Sequence, residues 1–369
     1  MSKSTHGKKS KSSKKSAKKK ELRAKKDAQA AKAAEKAKKK AESTADREQR
    51  LVEDVATVES ADGVETVDGA EVLEVVEGAE VVKAVEAEPA TWDESPGAVL
   101  RVSPGFSLDD FDRASTPGWS SGKAAAEATL ASFGPELSDL QERLFAEGRS
   151  GGSRSVLLVL QGMDTAGKGG IVRRVVGMVD PQGVQHTSFG KPTEEELAQN
   201  YLWRIRRALP QPGYLGVFDR SHYEDVLIVR VHDLVPEDVW SGRYDEINAF
   251  EAELAAAGTT IVKVAMFVSL DEQKARLTER LERPDKYWKF NPGDIDERLE
   301  WPRYQEAYQA ILDRTSTEVA PWHVIPADRK WYARLAVSQL LLDALRGLEL
   351  GWPPADFDLE HEKARLAEA

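Results

Sequence analysis

Residues 155–174 read Ser-Val-Leu-Leu-Val-Leu-Gln-Gly-Met-Asp-Thr-Ala-Gly-Lys-Gly-Gly-Ile-Val-Arg-Arg, and no other stretch restricts the fold so strongly. Its five consecutive apolar residues, 156–160, suit a short strand buried on both faces. They run straight into Gly162-Met163-Asp164-Thr165-Ala166-Gly167-Lys168, after which helix-compatible residues follow. Strand, glycine loop and helix start in this order and spacing make a phosphate-binding loop. Its glycines let backbone N–H groups converge on an anion, and the helix N-terminus adds about half a positive charge. Lys168 then reaches the outer phosphates. In the usual loop the lysine is followed by Ser or Thr, whose hydroxyl binds Mg²⁺. Here Gly169 and Gly170 follow instead, so a metal must rest on other oxygens, and Asp164 is the nearest.

The formal net charge of -11 hides a segregated start. Residues 1–50 hold 19 Lys/Arg against 6 Asp/Glu, whereas residues 51–100 hold 1 against 14. With few large apolar side chains to offset the entropy of ordering, residues 1–95 are expected to be a disordered tail, basic over 1–50 and acidic over 51–95. A folded domain is expected over 96–350 and a C-terminal tail over 351–369. Cysteine is absent, which excludes disulfides and thiolate metal sites. There is no run of eighteen apolar residues and no signal-peptide core, so the expectation is a cytoplasmic protein with no membrane partner.

Beyond the loop, strands are expected at 156–161, 184–189, 214–218, 260–268 and 322–325, with helices between them and a last helix over 330–346. Residues 122–147 suit two helices broken at Gly134-Pro135, and Thr193 caps one helix running on to residue 209. Strands separated by helices give an α/β class with a parallel five-stranded sheet covered on both faces, whose ligands sit at the strands' carboxyl ends. The third strand ends in Asp219-Arg220-Ser-His222-Tyr-Glu224-Asp225. An aspartate delivered there can hold Mg²⁺ or its water shell, and Arg220 offers a planar fork to phosphate oxygens. His222 is assigned no acid–base role. Ser269 and Glu272 fit a capping box. Arg276, Arg280 and Arg283 then fall on one helix face and, with a turn at Asn291-Pro292-Gly293, suggest a basic lid over about 270–295. Lys191, Arg204, Arg206, Arg207 and Arg230 are further candidates for the anion site, while Trp203, Trp288, Trp301, Trp322 and Trp331 are expected in apolar packing.

Several segments in the same order resemble the polyphosphate kinase 2 family over about 105–348. They are Gln161-Gly-Met-Asp-Thr-Ala-Gly-Lys-Gly-Gly170, Thr193-Glu-Glu-Glu-Leu, Tyr201-Leu-Trp-Arg-Ile-Arg, Gly216-Val-Phe-Asp-Arg-Ser-His-Tyr-Glu-Asp-Val-Leu and Trp288-Lys-Phe-Asn-Pro-Gly-Asp-Ile-Asp-Glu-Arg. The resemblance implies a three-layer α/β/α P-loop kinase fold, thymidylate-kinase-like, with a helical lid. It implies Mg²⁺-dependent phosphoryl transfer between inorganic polyphosphate and purine nucleotides (AMP, ADP, ATP), with no specific nucleic-acid partner, in a homo-oligomer, dimer or tetramer. By the same resemblance Asp164, Lys168, Asp219 and Arg220 are catalytic, and Asp164 and Asp219 hold the metal. Gly162, Met163, Thr165, Ala166, Gly167, Gly169, Gly170, Lys191, Glu224, Arg230, Arg276, Arg280 and Arg283 contact substrate. The turn His222-Tyr-Glu-Asp225 resembles the branch that phosphorylates AMP as well as ADP. Two other functions fit the same loop: an ATP-dependent nucleoside monophosphate kinase, and a non-catalytic polyphosphate- or nucleotide-binding module.

Overall fold

The computed structural model describes residues 87–369, and the charged tail expected from residue 1 lies outside them up to residue 86. In chain order the described residues form α1 (Pro96–Val99), α2 (Gly122–Arg149), β1 (Ser155–Gln161), α3 (Lys168–Arg174), β2 (Val184–Ser188), α4 (Glu194–Leu197), α5 (Leu202–Ala208), β3 (Leu215–Asp219), α6 (Ile228–Val231), α7 (Glu237–Ala256), β4 (Thr259–Phe267), α8 (Leu270–Glu282), α9 (Gly293–Leu299), α10 (Trp301–Thr315), β5 (Trp322–Pro326), α11 (Lys330–Arg346) and α12 (Leu359–Ala367). Short 3-10 turns at His222–Val226 and Pro284–Lys289 follow β3 and α8.

Every residue of β1 is buried, which requires a helical layer on each side of the sheet. Val156, Leu158 and Leu160 pack with Leu137 and Leu144 of α2, Ile171 of α3, and Leu335 and Leu341 of α11. Leu157 and Val159 point the other way, toward Tyr244, Ile247 and Phe250 of α7 and Tyr308 and Ile311 of α10. The strands run β2-β3-β1-β4-β5 and all pairs are parallel. From β1 the chain moves to one side of the sheet, and from β3 it crosses to β4 on the other. The loops after β1 and β3 therefore flank the topological switch point, where such sheets bind ligands.

The helices depart from expectation in three places. Residues 122–149 form a single helix with Pro135 inside it. A mid-helix proline costs about 3 kcal/mol, but the helix buries Leu137 and Leu144, each contributing roughly 1.5–3 kcal/mol, so packing against α11 outweighs the break. The helix expected from Thr193 to 209 is two. Thr193 and Glu196 form a reciprocal capping box for α4, and the Asn200 side chain then accepts from Leu202 N–H (2.8 Å) to start α5. The C-terminal stretch carries α12, which buries no residue. At the other end Ala90 is tied to Thr129 by two hydrogen bonds, and the Trp92 ring meets Trp119 at 5.3 Å, so folded chain extends into residues expected as tail. Among the described residues no helix is long and apolar enough to cross a membrane.

Candidate active site

Parallel pairing of β1 with β3 sets Leu160 opposite Asp219, so the glycine loop and the acidic strand end open side by side. Arg220 N–H donates to Leu160 O (3.0 Å), and the Arg220 guanidinium donates to Asp164 (2.8 Å), closing the two loops on each other. Arg220 has φ +64° and Thr165 φ +67°. A left-handed backbone at a residue with a side chain costs on the order of 1–3 kcal/mol and persists only where its surroundings fix it. Gly162, at φ +153°, has no room for a side chain, because an added Cβ would stand 2.6 Å from Met266 O. Beside Gly169 and Gly170 an added Cβ meets nothing within 4 Å, so the first turn of α3 faces open space. Lys168 is buried along the loop, its Nζ donating to Gly162 O (2.6 Å) and Met163 O (3.4 Å).

Charge is concentrated around Arg220. Burial works against its ionisation, but Asp164, Glu224 and Asp219 around it raise its pKa above the ordinary arginine value. Glu224 is pushed up by burial, against the charge of Arg220 and a hydrogen bond donated by Gln161 Nε2 (3.1 Å). Tyr308 is raised well above the usual tyrosine value by burial and by Glu224, so its hydroxyl stays protonated on the wall of the site. Gln305, one turn before Gln309 on α10, reaches Met163 Sδ at 3.9 Å and accepts from Arg113. Gln161, Tyr304, Gln305, Tyr308 and Asp294 were not singled out from the sequence. For Gln161 a signal existed, a polar residue closing an apolar strand.

The arginines of the expected lid separate. Arg276 is buried behind the loop, donating to Thr165 O (2.8 Å), Ala327 O (2.6 Å) and Asp328 O (2.9 Å) and pairing with Glu272 (2.6 Å). It braces the loop and does not sit on a lid, because these backbone carbonyls and one carboxylate take up its fork. Glu272 is thereby kept from a full capping box. Ser269 Oγ accepts from Glu272 N–H, while Ser269 N–H goes to Asp328. Arg280 pairs with Asp294 (2.9 Å), whose carboxyl is raised by burial and by the negative charge of Asp164. Arg283 is exposed and paired with Glu279 and Asp285. Trp288, expected in packing, is 78% exposed, whereas Trp322 is core.

Lys191 lines a cleft of about 360 Å³ at the end of β2 with Phe189, Glu196, Arg204 and Arg207. Phe189 N–H donates to Asp219 O (3.0 Å), so this cleft adjoins the acidic strand end. Arg204 lies over the Phe189 ring at 5.5 Å. Arg230 is placed elsewhere. Its guanidinium stacks on Trp240 at 4.8 Å and donates to Tyr244 Oη (3.3 Å), in a cleft of about 230 Å³ that shares no lining residue with the loop. His222 is buried and faces Glu251.

The chain has counterparts among known proteins. An AMP/ADP-polyphosphate phosphotransferase of Meiothermus ruber is 50% identical over 255 residues, 69% of this chain and 94% of the relative. An ADP-polyphosphate phosphotransferase of Rhodopseudomonas palustris is 44% identical over 229 residues, 59% of this chain and 78% of the relative. The crystal structure of polyphosphate kinase 2 from Arthrobacter aurescens TC1 superimposes with a TM-score of 0.75 at 54% identity, covering 77% of this chain and all of that one. Residues 120–350, which carry the glycine loop and the acidic strand end, match the description Polyphosphate kinase 2 (PPK2), and the chain belongs to that family.

Proposed function

We propose that this protein transfers a phosphoryl group between inorganic polyphosphate and AMP or ADP. The observation that carries this is the β1–β3 register, which sets the Asp219-Arg220 strand end beside the Asp164–Lys168 loop, in a chain whose relatives bear polyphosphate phosphotransferase names. Phosphoryl transfer passes through a loose state that needs alignment and charge neutralisation more than proton transfer. Lys168 and Arg220 neutralise the transferred group, with Arg220 exchanging Asp164 for a phosphate oxygen. The inner side of the lid excludes water that would hydrolyse the group. The loop cradles donor phosphates, and the cleft at the end of β2, with an aromatic face and cations next to Asp219, takes the acceptor nucleotide.

The donor set suits a hard divalent cation, Mg²⁺. Asp164 and Asp219 supply carboxylates, and Thr165 Oγ1 is a buried loop hydroxyl with no hydrogen-bond partner. Among the described residues no three His, Cys, Asp or Glu side chains gather to hold a metal unaided, so these oxygens would share the ion with phosphate and water. Bound there, Mg²⁺ would neutralise charge on the phosphate oxygens. A cytoplasmic setting and a dimer or tetramer belong to this same proposal.

The test is incubation of the purified full-length protein with polyphosphate, Mg²⁺ and either AMP or ADP, followed by chromatography of the nucleotides. New ADP or ATP is the expected result. Product formed only when ATP replaces polyphosphate as donor to AMP would overturn the proposal in favour of a nucleoside monophosphate kinase. No product with any donor would leave a binding module.

A further inference from the structure

Lys263 stands in the middle of β4 with its side chain wholly buried, opposite Val159 of β1, which in turn lies opposite Phe218 just before Asp219. All three ammonium hydrogens are used. They go to Tyr223 Oη (2.7 Å), Glu251 Oε2 (2.6 Å) and the Thr315 carbonyl (2.7 Å). Tyr223 Oη also donates to Glu251 Oε1 (2.8 Å), and His222 Nε2 lies 3.2 Å from that oxygen. The ammonium is 5.0 and 5.2 Å from the ring centroids of Trp322 and Tyr223. Thus one cation is tied to the turn after β3, to α7 and to the carboxyl end of α10.

A buried ion pair is weak evidence for stability, since apolar side chains of similar volume often serve as well. What it supplies here is direction. The turn starts at Arg220, whose left-handed backbone must be held by its surroundings. At that end it is held by Leu160 O and Asp164, and three residues on by the Tyr223 hydroxyl on Lys263 and Glu251. Between these points stand Ser221 and His222, and Glu224 follows. The third acceptor, Thr315, ends the helix that presents Tyr304 and Tyr308 to the same site.

We propose that Lys263 and Glu251, acting through Tyr223, form a positioning unit that holds the Arg220 backbone and Glu224 in place for phosphoryl transfer. The kinetic consequence rests on the function proposed above, whereas the mechanical one does not. Tyr223→Phe in the full-length protein removes only the hydroxyl and keeps the ring against Trp322, at 4.7 Å. Hydrogen exchange of the amides at 219–224 should accelerate about tenfold or more, with β1 and α11 amides within about twofold of wild type. Turnover at saturating substrates should fall about tenfold, with KM for polyphosphate and nucleotide within about threefold. The paired change Lys263→Met with Glu251→Gln, which buries no lone charge, should give the same local pattern. Unchanged exchange in the turn overturns the proposal, as does acceleration spread evenly over the sheet, which marks a brace for stability alone. A loosened turn with wild-type turnover overturns it too. If the wild-type protein fails to use polyphosphate at all, the function proposed above falls, and the exchange measurement still decides this one.

Discussion

Arg276→Leu separates a brace from a lid arginine. The guanidinium donates to the carbonyls of Thr165, Ala327 and Asp328 and pairs with Glu272, and leucine keeps much of the stem's packing while removing every one of these contacts. A hydrogen bond to a charged group contributes about 1.5–3 kcal/mol, and three would sum to about 5–9 kcal/mol if nothing relaxed. Removing the buried cation also removes its desolvation cost, and Glu272, about one-third exposed, regains water. A net loss of about 3–5 kcal/mol is therefore expected, the range for breaking a buried pair. At roughly 2 °C per kcal/mol for a domain of this size, Tm should fall by about 6–10 °C.

The assay is thermal unfolding by circular dichroism without ligand, run beside steady-state kinetics with polyphosphate. Because the Thr165 carbonyl loses its backing, turnover should fall while the polyphosphate KM changes little. A Tm within about 1 °C of wild type together with a tenfold higher polyphosphate KM would refute the reasoning, since that is how a phosphate-contacting lid arginine behaves. Arg283→Leu is the internal control. Its side chain is exposed and paired only with Glu279 and Asp285, so its Tm should stay put.

Lys168→Ala should lower turnover by about two to three orders of magnitude, the scale for losing one preorganised charge at a developing anion; near-normal steady-state turnover would remove the loop from the mechanism. Asp219→Asn should raise the Mg²⁺ concentration for half-maximal rate about tenfold, and an unchanged Mg²⁺ titration would assign the metal elsewhere. His323 is held by burial at a pKa of about 4 against an ordinary 6.5. Between these values the unfolded chain binds a proton that the folded chain refuses, so stability rises with pH there and is lost as pH falls from 6.5 to 4, by up to about 3 kcal/mol. His323→Gln should flatten that part of the urea midpoint against pH, and a curve of unchanged slope counts against the assignment. Deleting residues 1–86 should leave turnover at saturating polyphosphate within about twofold, because the groups assigned to the chemistry all lie beyond residue 155; an inactive truncation would make the tail part of the catalytic unit.

What could be read in the chain beforehand was what neighbouring residues decide among themselves. The run 156–160, the glycines after it and Asp219 at the end of an apolar segment are local patterns, and all five strands fall within two residues of where they were expected. Pro135 does not break its helix, because its cost is local while its compensation is not. The face carrying Leu137 and Leu144 packs against α11, some two hundred residues away.

Side-chain destinations follow the same division. Periodicity places Arg276 and Arg280 along one flank of α8 and Arg283 on the same line just past its end, but it cannot say what stands opposite each of them. At the helix's middle are the carbonyls of Thr165, Ala327 and Asp328, farther along is Asp294, and about Arg283, past its end, are Glu279, Asp285 and solvent. Arginines at helical spacing thus become a buried brace, a partner of Asp294 and a surface pair. Lys263 is the extreme case. A lone lysine in an apolar strand looks like an edge or an outward face, and only the arrival of Glu251, Tyr223 and Thr315 from three distant segments makes its burial sustainable. The pairing of Asp164 with Arg220 belongs to the same class. Each residue stands out in its own motif, but the contact exists because β1 and β3 meet in the one register that sets Leu160 against Asp219. In this fold the chemical groups are written locally and their geometry is set by strand pairing, so substitutions that disturb that pairing should cost activity even where no site residue changes.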